Sequence, residues 1–198
     1  MSAVQLFALA STVSLLAGWR LYFVTFVVGL AMKFGWIALP AQLTSLDVLS
    51  NNWVLAIAAL GALAEFFADK VPWLDSAWDF LHTIVRPVGG ALLSMAIVDA
   101  HDPTWQVASL LLGGSAALLA HAGKSGARTL INVSPEPFSN LAVSAGEDVA
   151  SGSLLALAIA YPIAAVAISL ALVLLSIWLV LTGRRLLKRL RFPKPNSS

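Results

Sequence analysis

The longest apolar runs of the chain set the strongest limit on its fold. Residues 153–182 contain no charged side chain, and residues 3–33 carry one charge in their interior, on Arg20. A helix that crosses a bilayer needs about 20 predominantly apolar residues. Only 11% of all residues are charged, whereas soluble domains have about 25%. The sequence therefore predicts an integral membrane protein that forms one compact domain.

We predict an all-α, polytopic membrane helical bundle with about five spans, formed by residues 1–183. The apolar segments are 3–33, 53–68, 87–100, 104–122 and 153–182. The segment 87–100 is short enough for a re-entrant or half-helix, and Pro162 is expected to kink the last span. Re-entrant or interfacial helices are expected at roughly 73–85 and 123–138. Small residues on several of these segments allow close helix contacts and favour a homodimer.

The C-terminal tail, residues 184–198, is a separate basic segment. It holds six of the twelve bases, and the other 183 residues have a formal charge of −4. The positive-inside rule places this tail in the cytoplasm, where it would contact anionic lipid. Five spans then put the N-terminus outside. The opposite side follows if residues 3–33 form two half-helices that return.

Arg20 is the charge that interrupts the first apolar run, in the sequence Gly18-Trp19-Arg20. An arginine at the middle of a bilayer costs about 2.5–3.5 kcal/mol on insertion scales. We therefore expect its side chain to face protein or water. It either binds an ion or ligand, or it reaches the headgroups or an internal acid for stability alone.

The stretch from Glu65 to Arg86 has the highest density of polar groups. Glu65 and Asp69 are four residues apart, so they share one helical face. Lys70 follows, and Pro72 ends or restarts the helix. The next polar residues recur at spacings of four, three and four, and these residues are Asp75, Asp79, His82 and Arg86. We interpret this pattern as the polar stripe of an amphipathic helix.

A second polar island extends from residue 123 to residue 148. Its charged residues are Lys124, Arg128, Glu136, Glu147 and Asp148. Gly123-Lys124-Ser125 resembles part of a phosphate-binding loop, but Leu118 stands where that loop requires glycine, so we reject a nucleotide site. His121 is expected to cap the end of a span. His101, between two aspartates, is expected in an exposed loop.

Two Gly-x-Arg segments, ending at Arg20 and Arg128, suggest an internal repeat. Interrupted apolar segments in corresponding places are typical of inverted-repeat transporters, whose broken helices point at a central site. On that hypothesis Arg20 and Arg128 meet near the centre and bind an anionic group. A chance match is the alternative.

Three motifs carry a family resemblance. They are Gly18-Trp19-Arg20, Glu65-x-x-x-Asp69-Lys70-x-Pro72-x-x-Asp75 with the later Asp79, His82 and Arg86-Pro87, and Gly123-Lys124-x-x-x-Arg128 followed by Ser134-Pro135-Glu136-Pro137. Together they resemble the domain-of-unknown-function 4126 family of bacterial integral membrane proteins, over nearly the whole chain except the basic tail. The resemblance implies a protein of the bacterial inner membrane. It implies no activity.

Three classes of function fit these features. The first, which we favour, is a transporter or channel for a small ion or polar solute, because charges inside membrane segments commonly line such pathways. The second is a metal-dependent enzyme acting on lipid or phosphate, with Glu65, Asp69, Asp79 and His82 as candidate ligands of a divalent ion. The third is a structural assembly protein whose acids face water. No known catalytic motif is present, so we assign no catalytic residue.

We therefore expect the substrate-binding or transport site to consist of the charged and histidine residues of the three interrupted regions. These residues are Arg20, Glu65, Asp69, Lys70, Asp75, Asp79, His82, Arg86, Lys124, Arg128, Glu136, Glu147 and Asp148. Membrane lipid is the expected partner, and no nucleic acid is expected. The chain has no cysteine, so neither a disulfide nor a thiolate metal site can form. A cofactor is expected only under the metal-enzyme hypothesis.

Overall fold

A computed structural model describes residues 3–35, 47–98, 102–131 and 137–191. Every regular element in these ranges longer than a single turn is an α-helix. The six helices are α1 (Ala3–Lys33), α2 (Asn52–Ala68), α3 (Pro72–Val98), α4 (Pro103–Ile131), α5 (Pro137–Ala160) and α6 (Pro162–Arg191). Five of them, all except α2, are long and apolar enough to cross a membrane. The predicted all-α bundle with about five spans is therefore confirmed, although the segment 53–68, which we expected to be a span, corresponds to the shorter helix α2.

Helix α1 lies at the centre of the bundle and contacts each of the other five helices. Its inward side chains are nearly all apolar, and Val13, Leu16 and Val24 are fully buried. Glycines let neighbouring helices approach closely. A Cβ atom on Gly18 would collide with the carbonyl oxygen of Ala117 and lie 2.8 Å from Cβ of Ala120. The contact of α1 with α4 therefore requires the absence of a side chain at residue 18.

The bounds of several helices differ from those predicted. Residues 72–98 form one helix that continues through Pro87, where we expected an amphipathic helix followed by a half-helix. Helix α4 does not end near residue 122 but continues to Ile131, so the predicted re-entrant segment 123–138 is wrong over its described part. The predicted last span is two helices. Pro162 starts α6 because it has no N–H for the preceding helix and fits a first helical turn.

Side-chain contacts give the relative directions of the helices. The rings of Phe7 and Trp105, near the starts of α1 and α4, lie 5.6 Å apart. Later in both helices, Lys124 Nζ donates to the Trp19 carbonyl. Helices α1 and α4 are therefore parallel. An inverted repeat would make its two Gly-x-Arg helices antiparallel, so that prediction is wrong for α1 and α4.

Helices α3 and α5 run against α1. In α5, Asp148 contacts Arg20, whereas Leu154, which comes later, packs near Leu16, which comes earlier in α1. Ser14 donates to the Gly90 carbonyl, and Tyr22, further along α1, contacts His82, which comes earlier in α3. Helix α6 follows the direction of α4, since Val173 packs near Ala120 and Val180 near Gly126. The first and last helices are therefore parallel, and the chain leaves the bundle at the end opposite to its start.

Candidate functional site

Asp69 is the point at which charges from separate helices converge. It follows the last residue of α2, and its backbone N–H donates to the Glu65 carbonyl. Its Oδ2 atom lies 2.8 Å from Arg20 Nη2, 3.1 Å from Lys124 Nζ and 3.5 Å from Arg128 Nη2. The side chain is 0% exposed. Three cations thus share one buried carboxylate.

Arg20 reaches this carboxylate from a break in α1. Its backbone angles are φ −144° and ψ 68°, outside the helical region, so the chain before and after it forms two helical segments. Besides Asp69, its Nη2 contacts Asp148 Oδ1 at 2.5 Å and the Ser144 carbonyl at 3.4 Å. Of the two alternatives for residues 3–33, the one with two helical segments is therefore present, although the segments form one long element and not half-helices that return.

Lys124 and Arg128 are one turn apart on α4, so both side chains extend from the same face. Arg128 Nη1 also donates to the backbone carbonyl of Asp69 at 3.1 Å, and its Nη2 lies 3.1 Å from Glu147 Oε2. Lys124 Nζ lies 3.7 Å from the same Glu147 oxygen. Arg128 Nε approaches Asp75 Oδ1 at 4.0 Å. The carboxylates around Arg128 therefore come from three different parts of the chain.

Helix α5 contributes two acids that close this group of charges on one side. We call the group the Asp69 cluster, and its members are Arg20, Asp69, Lys124, Arg128, Glu147 and Asp148. Glu147 and Asp148 are 18% and 32% exposed, whereas the other four members are at most 3% exposed. The α5 acids are thus the members in contact with the surroundings.

Lys70 lies at the edge of the Asp69 cluster. Its Nζ donates to Ser144 Oγ at 3.3 Å, lies 3.8 Å from Asp148 Oδ2 and sits 3.2 Å from the centre of the Phe66 ring. Partial burial lowers the pKa of the Lys70 amine, and attraction to Asp148 only partly offsets this effect. Lys70 is therefore a cation with one loose carboxylate partner and an aromatic neighbour.

The pKa of Asp69 reflects its unusual surroundings. Burial by itself disfavours the ionised carboxylate. Attraction to Lys124, Arg20 and Arg128 outweighs burial, and the pKa of the Asp69 carboxyl falls below its ordinary value. Asp69 is therefore ionised throughout the neutral pH range.

A second buried group is centred on Arg86, and we call it the Arg86 cluster. Arg86 Nη2 lies 2.8 Å from Glu65 Oε1, and Nη1 lies 3.0 Å from Asp79 Oδ1 and 2.8 Å from His121 Nδ1. All four residues are at least 95% buried. A guanidinium presents several donors in a fixed plane, so it can hold groups from α2, α3 and α4 together.

The hydrogen bonds of the two described histidines define opposite tautomers. Arg86 donates to His121 Nδ1, so that nitrogen is unprotonated, and the ring proton is on Nε2, which faces Thr83 Oγ1 at 3.3 Å. His82 Nδ1 faces the Trp78 carbonyl at 2.7 Å and therefore carries the proton, which leaves Nε2 to accept from the Tyr22 hydroxyl at 3.2 Å. The His121 ring is therefore neutral in this arrangement, whereas the contacts of His82 suit either charge state of its ring.

Twelve of the thirteen predicted site residues lie in the described ranges, and they occupy the two clusters or border on them. Glu136 lies outside those ranges, as does His101. The residues that sequence reasoning missed are Tyr22, Ser144 and His121. The expectation that His121 caps a span is wrong, because α4 continues for ten residues beyond it. The available signal was the spacing along the chain, which is three residues from His121 to Lys124 and four from Lys124 to Arg128. This spacing puts all three residues on one helical face.

The candidate metal ligands separate in space. Glu65 and Asp79 bind Arg86, Asp69 binds its three cations, and His82 contacts Trp78 and Tyr22. Within the described ranges, no group of three or more histidine, aspartate and glutamate side chains is arranged to hold a metal ion. The geometry instead forms ion pairs between protein groups.

Comparison with known protein families matches most of the chain. The family described as Domain of unknown function (DUF4126) matches residues 7–182, which include every charged residue of the two clusters. No curated protein and no solved structure matches the chain. Because the family match covers most of the sequence, this helical membrane protein belongs to the DUF4126 family.

Proposed function

We propose that this protein is a membrane transporter or channel for a small anion, and that the Asp69 cluster is its binding site. The observation that carries the proposal is the convergence of Arg20, Lys124 and Arg128 on one oxygen of Asp69. Charges are costly inside apolar helices, and those retained there commonly serve a transport pathway. Guanidinium groups bind carboxylate and phosphate oxygens through paired hydrogen bonds.

The charge balance of the Asp69 cluster depends on α5. With Glu147 and Asp148 in place, three acids neutralise three bases. Without those two acids, Asp69 alone faces Arg20, Lys124 and Arg128, and a net charge of +2 remains. The α5 carboxylates occupy the positions that the oxygens of a bound anion would take, 2.5 Å from Arg20 and 3.1 Å from Arg128. A solute anion would replace them.

Movement of α5 would couple the replacement of its two carboxylates by a solute anion to the opening of the Asp69 cluster. Helix α5 packs mainly on α1 and α6 and only slightly on α4, which carries Lys124 and Arg128. Helix α1 is already broken at Arg20. Displacement of α5 from α4 would open the cluster to one side, and its return would close it. This is a gated or alternating-access mechanism.

The Arg86 cluster would serve proton movement. Protonation of His82 leaves both its hydrogen bonds intact, because the Tyr22 hydroxyl can then accept instead of donate. Protonation of His121 would instead place an N–H group opposite the N–H group of Arg86 and break that hydrogen bond. Glu65, Asp79 and His82 would thus carry protons or a coupling cation beside the anion site, whereas Asp69 stays ionised and holds the three bases. The apolar helices support location in a membrane, for which we propose a bacterial inner membrane, and the six bases of residues 184–198 favour a cytoplasmic C-terminus.

Flux through proteoliposomes tests the proposal. Vesicles would be loaded with a chloride-sensitive or a pH-sensitive dye and given gradients of chloride, nitrate or inorganic phosphate. We expect at least one gradient to drive flux above that of protein-free vesicles. Arg128→Ala is expected to lower that flux about tenfold or more, because a hydrogen bond to a charged group is worth about 1.5–3 kcal/mol. Asp69→Asn should also change it.

Two further variants separate a local effect from loss of the fold. Glu147→Gln alters a partly exposed member of the Asp69 cluster and should change anion affinity with little effect on stability. Lys33→Gln is the matched control, because it removes an exposed base whose amine donates to Asn52, outside the two clusters. Equal flux in wild type, Asp69→Asn and Arg128→Ala would reject transport through this cluster.

A structural role is the second candidate function, although its predicted form, in which the acids face water, is wrong, because Glu65, Asp69 and Asp79 are buried. The observation in its favour is that each carboxylate of the two clusters lies beside a base, as in a bundle held together by buried ion pairs. It predicts no gradient-driven flux for any anion, together with a loss of stability in Arg128→Ala. The flux experiment therefore separates the two functions.

A further inference from the structure

A groove of about 530 Å³ lies between α1 and α2 and leads to the Asp69 cluster. Its walls are apolar, and Phe23 and Phe26 of α1 face Ala62 and Leu63 of α2. Sites for small molecules commonly have volumes of about 300–1,000 Å³. The groove therefore has the size and the lining of a ligand site.

One end of the groove is charged. Arg20 and Asp148 line it there, and Lys70 lies beside the lining residue Phe66. The Arg20 side chain is only 3% exposed, and its Nε–H has no hydrogen-bond partner in the described part of the chain. A buried donor without a partner is costly, and a ligand acceptor in the groove would satisfy it.

The charge at this end favours an anion. The base Arg20 and the acid Asp148 line the groove, and a second base, Lys70, lies beside them with its Nζ 3.8 Å from Asp148 Oδ2. The carboxylate of Asp69 is shared with Lys124 and Arg128, so it does not offset Arg20 fully. An apolar channel that ends at two cations is complementary to an acyl chain with an anionic head group.

We propose that this groove binds one anionic phospholipid of the surrounding bilayer, with an acyl chain between α1 and α2 and the phosphate at Arg20 and Lys70. The site shares Arg20 and Asp148 with the Asp69 cluster, but its acyl-chain groove lies outside that cluster, and it is separate from lipid contact with the basic tail. Bound there, the lipid would contact Asp148 and so the outer side of the Asp69 cluster.

Photo-crosslinking tests the site with the full-length protein in liposomes. Two probes would carry the same diazirine-labelled acyl chain, one on phosphatidylglycerol and one on phosphatidylcholine. We expect the phosphatidylglycerol probe to label residues 23–27 and 59–66 about tenfold more strongly, as for a charge-assisted contact to phosphate. Equal labelling by the two probes, or labelling confined to other surfaces, would overturn the proposal.

Matched variants locate the acyl chain and the phosphate. Ala62→Trp fills the groove and should abolish the labelling, whereas Ala64→Trp, on the exposed side of the same helix, should leave it unchanged. Lys70→Gln should remove the preference for phosphatidylglycerol while acyl labelling persists, and Lys33→Gln should not. Unchanged labelling in both Ala62→Trp and Lys70→Gln would refute the site.

A second copy of the chain is the other occupant that the groove could have. The chain has no cysteine, so Ala62→Cys introduces a single thiol in the groove. Under the lipid proposal the Ala62→Cys protein stays monomeric on oxidation in the membrane. Efficient disulfide-linked dimers would show that a protein surface occupies the groove, and would overturn lipid binding there.

Discussion

Arg20 and Asp69 form a buried ion pair, with 2.8 Å between Arg20 Nη2 and Asp69 Oδ2. The arginine lies at the break in the central helix, and the aspartate lies in the turn after α2. Each is the costliest kind of residue to place in an apolar bundle, and each reduces the cost of the other. Two residues that are distant in the sequence thus define the centre of the site.

The first prediction concerns the charge of Asp69. Asp69→Asn leaves Arg20, Lys124 and Arg128 buried around a neutral amide. We expect the free energy of unfolding to fall by about 3–5 kcal/mol, the usual effect of removing one partner of a buried ion pair. Thermal unfolding in detergent, followed by tryptophan fluorescence, measures the change.

Asp47→Asn provides the control for this substitution. Asp47 is exposed and precedes α2, and a surface substitution of this kind should change stability by less than about 0.5 kcal/mol. Equal stabilities of the two variants would show that the shared carboxylate contributes nothing to the bundle.

The second prediction concerns pH. The pKa of Asp69 is lower in the folded protein than in the unfolded chain, so ionised Asp69 stabilises the fold. That stabilisation is fully present above the unfolded carboxyl pKa of about 3.9 and is lost as pH falls through the lower, folded pKa. The stability difference between wild type and Asp69→Asn should therefore be constant from pH 7 to pH 5 and shrink only below about pH 4. A stability difference that shrinks between pH 7 and pH 5 would contradict the lowered pKa of Asp69 in the folded protein.

The third prediction concerns the contact between α1 and α4. Gly18→Ala should gain about 1 kcal/mol of helix propensity. Its Cβ, however, would collide with the Ala117 carbonyl, and overpacking of this kind costs about 1–3 kcal/mol. Because the backbone carbonyl cannot move without shifting the helix, we expect a net loss of stability in thermal unfolding.

Gly146→Ala is the matched substitution. Gly146 lies within α5, and a Cβ there would meet nothing within 4 Å. The same exchange should therefore raise stability by about 0.5–1 kcal/mol. If both alanine variants were stabilised equally, the close approach of α1 and α4 would be wrong.

The fourth prediction concerns the histidine tautomers. At pH 7 the nitrogen-15 spectrum of the labelled protein should show a proton on Nδ1 of His82 and on Nε2 of His121, because the Trp78 carbonyl accepts from the first ring and Arg86 donates to the second. Tyr22→Phe should leave the tautomer of His82 unchanged. A charged or Nδ1-protonated His121 would contradict the contact with Arg86.

Local patterns predicted the parts of this protein that depend on neighbouring residues. The apolar runs indicated membrane helices, and the spacing of Asp79, His82 and Arg86 put them on one face of α3. Helix bounds were predicted less well. Pro87 does not end α3, because the helix packs against α1 and α4 on both sides of it, and tertiary contacts override the local cost of a proline.

The sequence by itself determined that charged residues lie in an apolar helical bundle, because composition and periodicity are properties of the chain alone. Only the tertiary structure decided which charges meet. Arg20, Lys124 and Arg128 could share Asp69 only once α1 and α4 were parallel and in a register set by the close approach at Gly18. His121 meets Arg86 because α3 and α4 pack against each other. Ion pairs between helices depend on direction and register, and these come from packing between distant segments.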